Sequence, residues 1–411
     1  MSLNLCFFVA CLWQFSCGDI PLDQKVRKIQ DGNEGEVLAS EGSRERKQIA
    51  SPQPQVRFVD ATAEAGIDFV HTSGMSGRKY AVETIGAGAA FFDYDRDGWM
   101  DLYIVNGGDL PGYVSADAPK NEFYRNEGGR FVEVGEARGV ADTGYGMGVS
   151  AGDFDNDGDA DLFVANFGRN ILYRNEGQAA GWRYRDITGD AGLGGDESWS
   201  TGSSFVDYDL DGDLDLYVAN YLEFAFAEED LGAAGGLQRP RRHLAPTEYP
   251  GRRDFLFRND GAGRFVDVTV AAGLLNVECR ELGAVFFDYD LDGDPDLFQG
   301  NDATPNFLFR NDSGHFVEVG LFAGVAYNQG GKPEGTMGVD VADFDGDGHL
   351  DLVMTNFQWE SNTLYRNQGN GLFKDVSMDA GLAATSLDRL AFGINFLDAD
   401  LDGDQDLYVA N

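Results

Sequence analysis

A nine-residue phrase, Asp-x-Asp-x-Asp-Gly-x-x-Asp, occurs six times and constrains this chain more than any other feature. The copies supply Asp93, Asp95, Asp97 and Asp101; Asp153, Asp155, Asp157 and Asp161; Asp207, Asp209, Asp211 and Asp215. They continue with Asp288, Asp290, Asp292 and Asp296; Asp343, Asp345, Asp347 and Asp351; Asp398, Asp400, Asp402 and Asp406. Carboxylates two residues apart can wrap a chain around one hard cation, and glycine at position 6 permits the positive-φ turn that folds the loop back. A helix-loop-helix calcium site needs a bidentate Glu at position 12. That position holds Ile104, Val164, Val218, Gln299, Met354 or Val409, so the Asp at position 9 takes the closing role.

The expected ligands are side-chain oxygens from positions 1, 3, 5 and 9, the carbonyl of position 7 and a water. Position 7 varies freely (Trp99, Asp159, Asp213, Asp294, His349, Asp404), as a backbone ligand allows. An all-oxygen set suits Ca²⁺ rather than Zn²⁺ or Cu²⁺, and Mg²⁺ disfavours so many protein oxygens. Four carboxylates in one loop repel one another unless a cation sits among them. The phrase therefore predicts about six Ca²⁺ ions, one per loop. With all four acids engaged, no acid/base pair is left over for catalysis, and the ion's role is structural.

The net charge of −39 follows largely from these loops: without the twenty-four loop acids it is −15. Such a surface repels nucleic acid and anionic lipid, both of which are bound through Lys and Arg. Of four cysteines, Cys6, Cys11 and Cys17 lie at the start, which leaves Cys279 alone in the body without a disulfide partner. It reads as a small buried hydrophobe.

Five further spacings hold the register. A Gly precedes each first Asp by five residues (Gly88, Gly148, Gly202, Gly283, Gly338, Gly393), and an Asn follows it by thirteen (Asn106, Asn166, Asn220, Asn301, Asn356, Asn411). An Arg-Asn pair comes next, at 125–126, 174–175, 258–259, 310–311 and 366–367, then an aromatic at Phe131, Tyr184, Phe265, Phe316 and Phe373. Eight residues beyond each aromatic stands Gly139, Gly192, Gly273, Gly324 or Gly381. The unit reads as four short strands, with the acidic loop joining the first two and a glycine-bearing turn joining the last two. Repeated about six times, it predicts an all-β fold, a β-propeller of four-stranded blades. The repeated Arg is expected to tie neighbouring blades through an acid, and the Asn to serve in turns.

The phrase, with Gly-Ala-x-x-Phe before it, resembles the FG-GAP (VCBS-type) repeat. Gly66-Ile67-Asp68-Phe69, Asn301-Asp302-Ala303-Thr304-Pro305-Asn306 and Met337-Gly338-Val339-Asp340 resemble the cartilage acidic protein family and its ASPIC/UnbV-type relatives. The resemblance covers residues 56–411 and implies a calcium-loaded propeller on a secreted or surface protein, placed extracellularly, in a periplasm or at the cell surface. Two departures stand out. Family members usually continue into a small ASPIC/UnbV domain that these residues do not include, and the insertion at 221–253 lacks the cysteine pair often found there.

Residues 1–17 read as a signal or lipoprotein-type leader. Leu3–Phe15 is an apolar run of signal-peptide size without a basic start, and Phe15-Ser16-Cys17-Gly18 resembles a lipidation site with Cys17 as anchor. No stretch is long and apolar enough for a comfortable membrane span. Residues 18–55 are polar and read as a disordered linker. Asn411 closes the second strand of repeat six, while Arg57-Phe58-Val59-Asp60, with Gly66 eight after Phe58, matches a fourth strand. Closure through that strand gives blade six strands one, two and four; a seven-bladed parent is the other reading, and either suggests a truncated product.

The insertion holds Arg239, Arg241 and Arg242 in an otherwise acidic chain. It joins strands two and three, so it emerges on the face opposite the acidic loops, where Trp199 and Trp359 are also expected. These five residues are the candidate ligand face, and the alternative is an arm pinned by ion pairs. The resulting expectation is a monomeric recognition module for a protein or glycan, not an enzyme. The UnbV resemblance leaves open an enzyme or biosynthetic accessory with a site at the propeller mouth, and a third reading is a purely structural module.

Overall fold

The computed structural model describes residues 56–195, 197–226, 243–274 and 279–411. The expected leader, Cys17 and the linker at 18–55 lie outside the described residues. The blades form where short apolar runs alternate with turn-forming phrases. Blade one contains β1 (Ala89–Phe92), β2 (Asp101–Ile104), β3 (Glu122–Asn126) and β4 (Phe131–Glu133). Blade two contains β5 (Tyr145–Gly152), β6 (Asp161–Phe167), β7 (Ile171–Asn175) and β8 (Tyr184–Asp186). Blade three contains β9 (Ser200–Val206), β10 (Asp215–Asn220), β11 (Phe255–Asn259) and β12 (Phe265–Asp267). Blade four contains β13 (Glu281–Phe287), β14 (Asp296–Asn301), β15 (Phe307–Asn311) and β16 (Phe316–Glu318). Blade five contains β17 (Val339–Ala342), β18 (Asp351–Met354), β19 (Thr363–Asn367) and β20 (Phe373–Asp375). Blade six has β21 (Gly393–Leu397) and β22 (Asp406–Ala410).

Each of the first five is an antiparallel meander whose strands pair in chain order. The chain is an all-β propeller of four-stranded blades. In every blade the position-9 Asp opens the second strand, so the acidic loop is the hairpin between strands one and two.

The core is divided among blade junctions. Phe92, Tyr94, Phe123 and Val140 of blade one pack with Leu162, Ile171 and Tyr184 of blade two, and four similar clusters follow through blade six. Burial of each large side chain contributes on the order of 1.5–3 kcal/mol. The fourth-strand aromatic of one blade fills the cluster of the blade before it. Phe265 packs on Phe154, Phe316 on Tyr208 and Phe373 on Tyr289, with ring centroids 5.7, 5.9 and 6.1 Å apart.

Closure differs from the expectation. Residues 56–61 form no strand in blade six, which has two strands among the described residues. Phe58 instead meets Tyr408 of blade six, ring centroids 6.0 Å apart, and Tyr408 holds the place of Tyr103, whose ring packs in the cluster shared with the next blade. Gly66 lies against the Phe131 carbonyl of blade one, just as Gly139 lies against the Tyr184 carbonyl of blade two. The segment therefore occupies the fourth-strand place of a position after blade six and before blade one. Consecutive first strands pack together from β1 to β21, and no packing of that extent joins β21 back to β1.

Candidate metal centres

The acidic loops share one backbone design. Position 6 is glycine with φ between 88° and 97° in all six. Position 4 is also left-handed, at Arg96, Asn156, Leu210, Leu291, Gly346 and Leu401, with φ from 55° to 74°. Non-glycine residues resist this conformation. Asn156 and Gly346 were the sequence signal for it, masked by Arg or Leu in the other copies.

Position 9 is the anchor. Asp101, Asp161, Asp215, Asp296 and Asp351 are fully buried. In loop four, Asp296 Oδ1 accepts the Asn311 N–H at 2.7 Å, and Oδ2 accepts the Tyr289 N–H at 2.9 Å. The other loops repeat the pattern, so this carboxylate ties the acidic hairpin to the third strand. Position 1 holds the turn: in loop three, Asp207 accepts the N–H groups of Asp211 and Gly212, each at 3.0 Å.

Carboxylate oxygens of positions 1, 3 and 9 converge within 4.8 Å of one another in loops one to four, and those of positions 1, 3 and 5 do so in loop five. Three buried oxygens at these positions face no hydrogen-bond donor: Asp95 Oδ1, Asp153 Oδ1 and Asp209 Oδ1. Buried acceptors normally have partners. Orphaned carboxylate oxygens on residues of such clusters fit a hard divalent ion, and an all-oxygen set disfavours a soft one.

Position 5 is outside that converging set in loops one to four and inside it in loop five, although its backbone bond is the same in all. Its Oδ1 accepts the position-7 N–H, as in Asp211 with Asp213 and Asp292 with Asp294. Burial is the main cause that raises the position-9 carboxyls, to about 6 at Asp101 and Asp351, about 7 at Asp215 and Asp296, and about 9 at Asp161. The backbone donors oppose that shift, and the neighbouring loop carboxylates add to it.

Neighbouring loops touch. Arg96 of loop one pairs with Asp159 of loop two at 2.7 Å, and Asn156 of loop two donates to Asp213 of loop three at 2.8 Å.

The Asn of the Arg-Asn pair keeps its expected turn role, its Oδ1 accepting the N–H of Gly129, Gly177, Gly261, Gly314 or Gly369. It also takes the inter-blade role expected of the Arg. Arg125 pairs with Asp95 and Asp97 of its own loop, and Arg366 with Asp345 and Asp347. Arg174 and Arg310 pair with Glu176 and Asp312, two residues on. None of these pairs crosses a blade junction. The Asn does: Asn175, Asn259, Asn311 and Asn367 donate through Nδ2 to the carbonyls of Tyr94, Phe154, Tyr208 and Tyr289 in the preceding blade.

The opposite face is only partly as expected. Arg239, Arg241 and Arg242 lie outside the described residues. Trp199 is 2% exposed, packed among Phe167, Tyr221 and Phe224 with ring centroids 5.0–5.7 Å away. It therefore cannot offer its ring to a ligand. The insertion folds back over it, and this cluster also takes in Tyr80, Val82, Met147, Leu222 and Tyr249. Trp359, in contrast, is 70% exposed, in a left-handed conformation with φ 73°, and its N–H donates to the Leu387 carbonyl at 2.8 Å. No helix among the described residues is long and apolar enough to cross a membrane.

The profile of the FG-GAP-like repeat matches residues 93–164, 153–218, 288–354 and 343–409, more than half of the chain. Cartilage acidic protein 1 of Homo sapiens is 24% identical over 307 residues, covering 72% of this chain and 41% of its own length. The Xenopus tropicalis protein of that name is 24% identical over 293 residues, covering 68% and 41%. The chain spans about two fifths of the length of these curated relatives. Among solved structures, an Agrocybe aegerita lectin, described as recognising non-reducing terminal N-acetylglucosamine, aligns at 14% identity and a TM-score of 0.40, over 79% of this chain and 70% of its own. Rhamnogalacturonan lyase YesW aligns at 13% identity and a TM-score of 0.40, over 79% and 56%. With its acidic hairpins, its blades and its repeat profile in agreement, this chain belongs to the FG-GAP-like repeat family.

Proposed function

We propose that this chain is a secreted or surface-tethered calcium-binding propeller that recognises a protein or glycan through the face opposite its acidic loops. The observation that carries the calcium reading is the convergence of loop acids in five loops, with donorless, buried carboxylate oxygens on Asp95, Asp153 and Asp209 among them. The ligands are Asp93, Asp95 and Asp101 and their counterparts, with position 5 joining in loop five. A bound divalent ion supplies the positive charge that lets these acids stay ionised side by side. Modules of this kind hold calcium at dissociation constants on the order of 10⁻⁴–10⁻³ M, a range filled outside cells and empty inside them. The acids are occupied as ligands and as hairpin anchors, which supports a structural ion.

The recognition reading rests on Trp359, an exposed ring fixed by its backbone, and on the basic run Arg239, Arg241 and Arg242 of the insertion. Exposed aromatic and arginine side chains are the usual anchors of binding surfaces.

Unfolding followed by heat in excess calcium and in chelator tests the metal. Calcium at about 100 times its dissociation constant stabilises the fold by about 2.7 kcal/mol for each site it fills only in the native state. Equal midpoints in both conditions remove the metal reading. A Trp359→Ala variant with Arg239, Arg241 and Arg242 reversed to Glu should retain the calcium-dependent midpoint and lose binding to the surface partner. Unchanged binding removes the proposed face.

A further inference from the structure

The repeats serve as controls for one another, and the junction of blades three and four departs from the template at three equivalent positions. The residue before the third strand is Asn121, Asn170, Asn306 or Asn362 elsewhere and Asp254 here. Seven residues before the first Asp stand Gly86, Gly146, Ser200, Thr336 and Ala391 elsewhere and Glu281 here. Eleven residues after the first Asp, the apolar Ile104, Val164, Val218, Met354 and Val409 are replaced by Gln299.

These three polar residues meet. Asp254, Glu281 and Gln299 are at most 1% exposed, as are the adjoining Tyr217 and Cys279. Asp254 Oδ1 keeps the template contact, accepting the Asn220 N–H at 2.7 Å. Its Oδ2 accepts Gln299 Nε2 at 3.1 Å and lies 3.0 Å from the Cys279 sulfur. Tyr217 donates its hydroxyl to Glu281 Oε2 at 2.5 Å, and Gln299 Nε2 also reaches the Tyr217 oxygen. Glu281 rests against Asp254, and its Oε1 faces no donor. Two touching carboxylates in a buried place cannot both ionise. One proton between them removes the repulsion and satisfies the orphaned oxygen.

We propose that Asp254 and Glu281 share a single proton, and that this proton fastens the root of the insertion to blade four. The segment carrying Glu281 grips the returning arm at three points. Arg280 donates to the Pro246 and Tyr249 carbonyls at 3.1 and 2.9 Å, and the Cys279 sulfur lies 2.8 Å from the Arg252 carbonyl. The ionisable groups facing the pair are Tyr217 of β10 and Cys279 beside β13. Burial pushes both upward and keeps them neutral. The guanidinium of Arg280 is directed at carbonyls of the arm, that of Arg252 at Ser198 and that of Arg253 at Asp267. The lock is independent of what the insertion binds.

The sign follows from proton count. Above the ordinary carboxylate range the unfolded chain has released both protons while the native pair keeps one, so stability falls as pH rises. Each pH unit raises the unfolding constant about tenfold until the pair finally ionises.

The test uses the full chain in saturating calcium, so that the loop acids are ionised. The infrared difference between the wild type and Glu281→Gln near neutral pH should contain a carboxylic-acid carbonyl band. Between about pH 5.5 and 8.5, the unfolding constant of the wild type should rise more steeply than that of Asp254→Asn, by about tenfold per unit. Asn at that position is what the other blades carry, so this variant keeps the Asn220 contact. If Glu281→Gln does not fold, the same infrared difference is taken against Asp254→Asn. Absence of the acid band, or equal pH slopes, overturns the proposal. So does a metal ion retained through chelation by the wild type and lost from Glu281→Gln.

Discussion

The Asn of each Arg-Asn pair serves several partners at once. In blade four the Asn311 N–H donates to Asp296, its Nδ2 to the Tyr208 and Pro295 carbonyls, and its Oδ1 accepts the Gly314 N–H. One side chain thereby joins the acidic loop, the hairpin turn and the preceding blade. Asn311→Ala leaves Tyr208 O without its inter-blade donor in a fully buried setting. That should cost about 1–3 kcal/mol, read as a lowered urea midpoint at unchanged slope. Arg310→Ala removes a half-exposed ion pair with Asp312 and should cost no more than about 1 kcal/mol. The opposite ranking would return the inter-blade role to the arginine. The recurrence of this Asn is legible in the sequence, but its partner is not, because a backbone carbonyl 103 residues away leaves no mark on the repeat. Asp254 and Glu281 are different: their departure from the template is visible in the sequence, but their meeting depends on blade packing.

At the scale of the element, the acidic hairpin proposed to hold calcium has its closing acid buried before any ion arrives. Burial raises the position-9 carboxyls of loops one to five to between about 6 and 9, so in the ion-free form Asp161 keeps its proton near neutrality and Asp215 and Asp296 keep theirs in part. An entering cation favours the ionised form, so calcium uptake should release protons, and apparent affinity should climb as pH rises through that window. The sign is the same for stability. A raised carboxyl stabilises the ion-free fold at acid pH and loses that contribution as pH rises. The stabilisation due to calcium should therefore widen from pH 6 to 8. Calorimetric titration in two buffers of different ionisation enthalpy measures the protons directly, and identical heats in both would contradict the buried-acid account. The donor phrase and its closing Asp were readable from spacing alone. The bond from the position-7 N–H to the position-5 carboxylate was not, because a backbone donor is common to every residue type.

On the scale of the whole molecule, the ring was legible because its period is written in the chain, while its closure was not. Phe58 and Gly66 match the template of a fourth strand, but only their contacts with Tyr408 and Phe131 place them between blade six and blade one. Trp199 looked like a surface ring for the same reason: the insertion that buries it has no counterpart in the other repeats. The ring also concentrates charge. Loop one contacts loop two and loop two contacts loop three, which crowds their acids together in a solvent whose screening length is about 10 Å at 0.1 M salt. With no cation bound, that repulsion acts around the ring and opposes the folded state. Raising sodium chloride from about 0.1 to 1 M shortens the screening length to about 3 Å. In chelator the melting midpoint should therefore rise with salt. In saturating calcium each loop carries its own counter-charge, and the same change should move the midpoint little. Parallel salt responses in the two conditions would mean that the acids are compensated without a metal, and the loops would then be ordinary polar turns on an acidic surface.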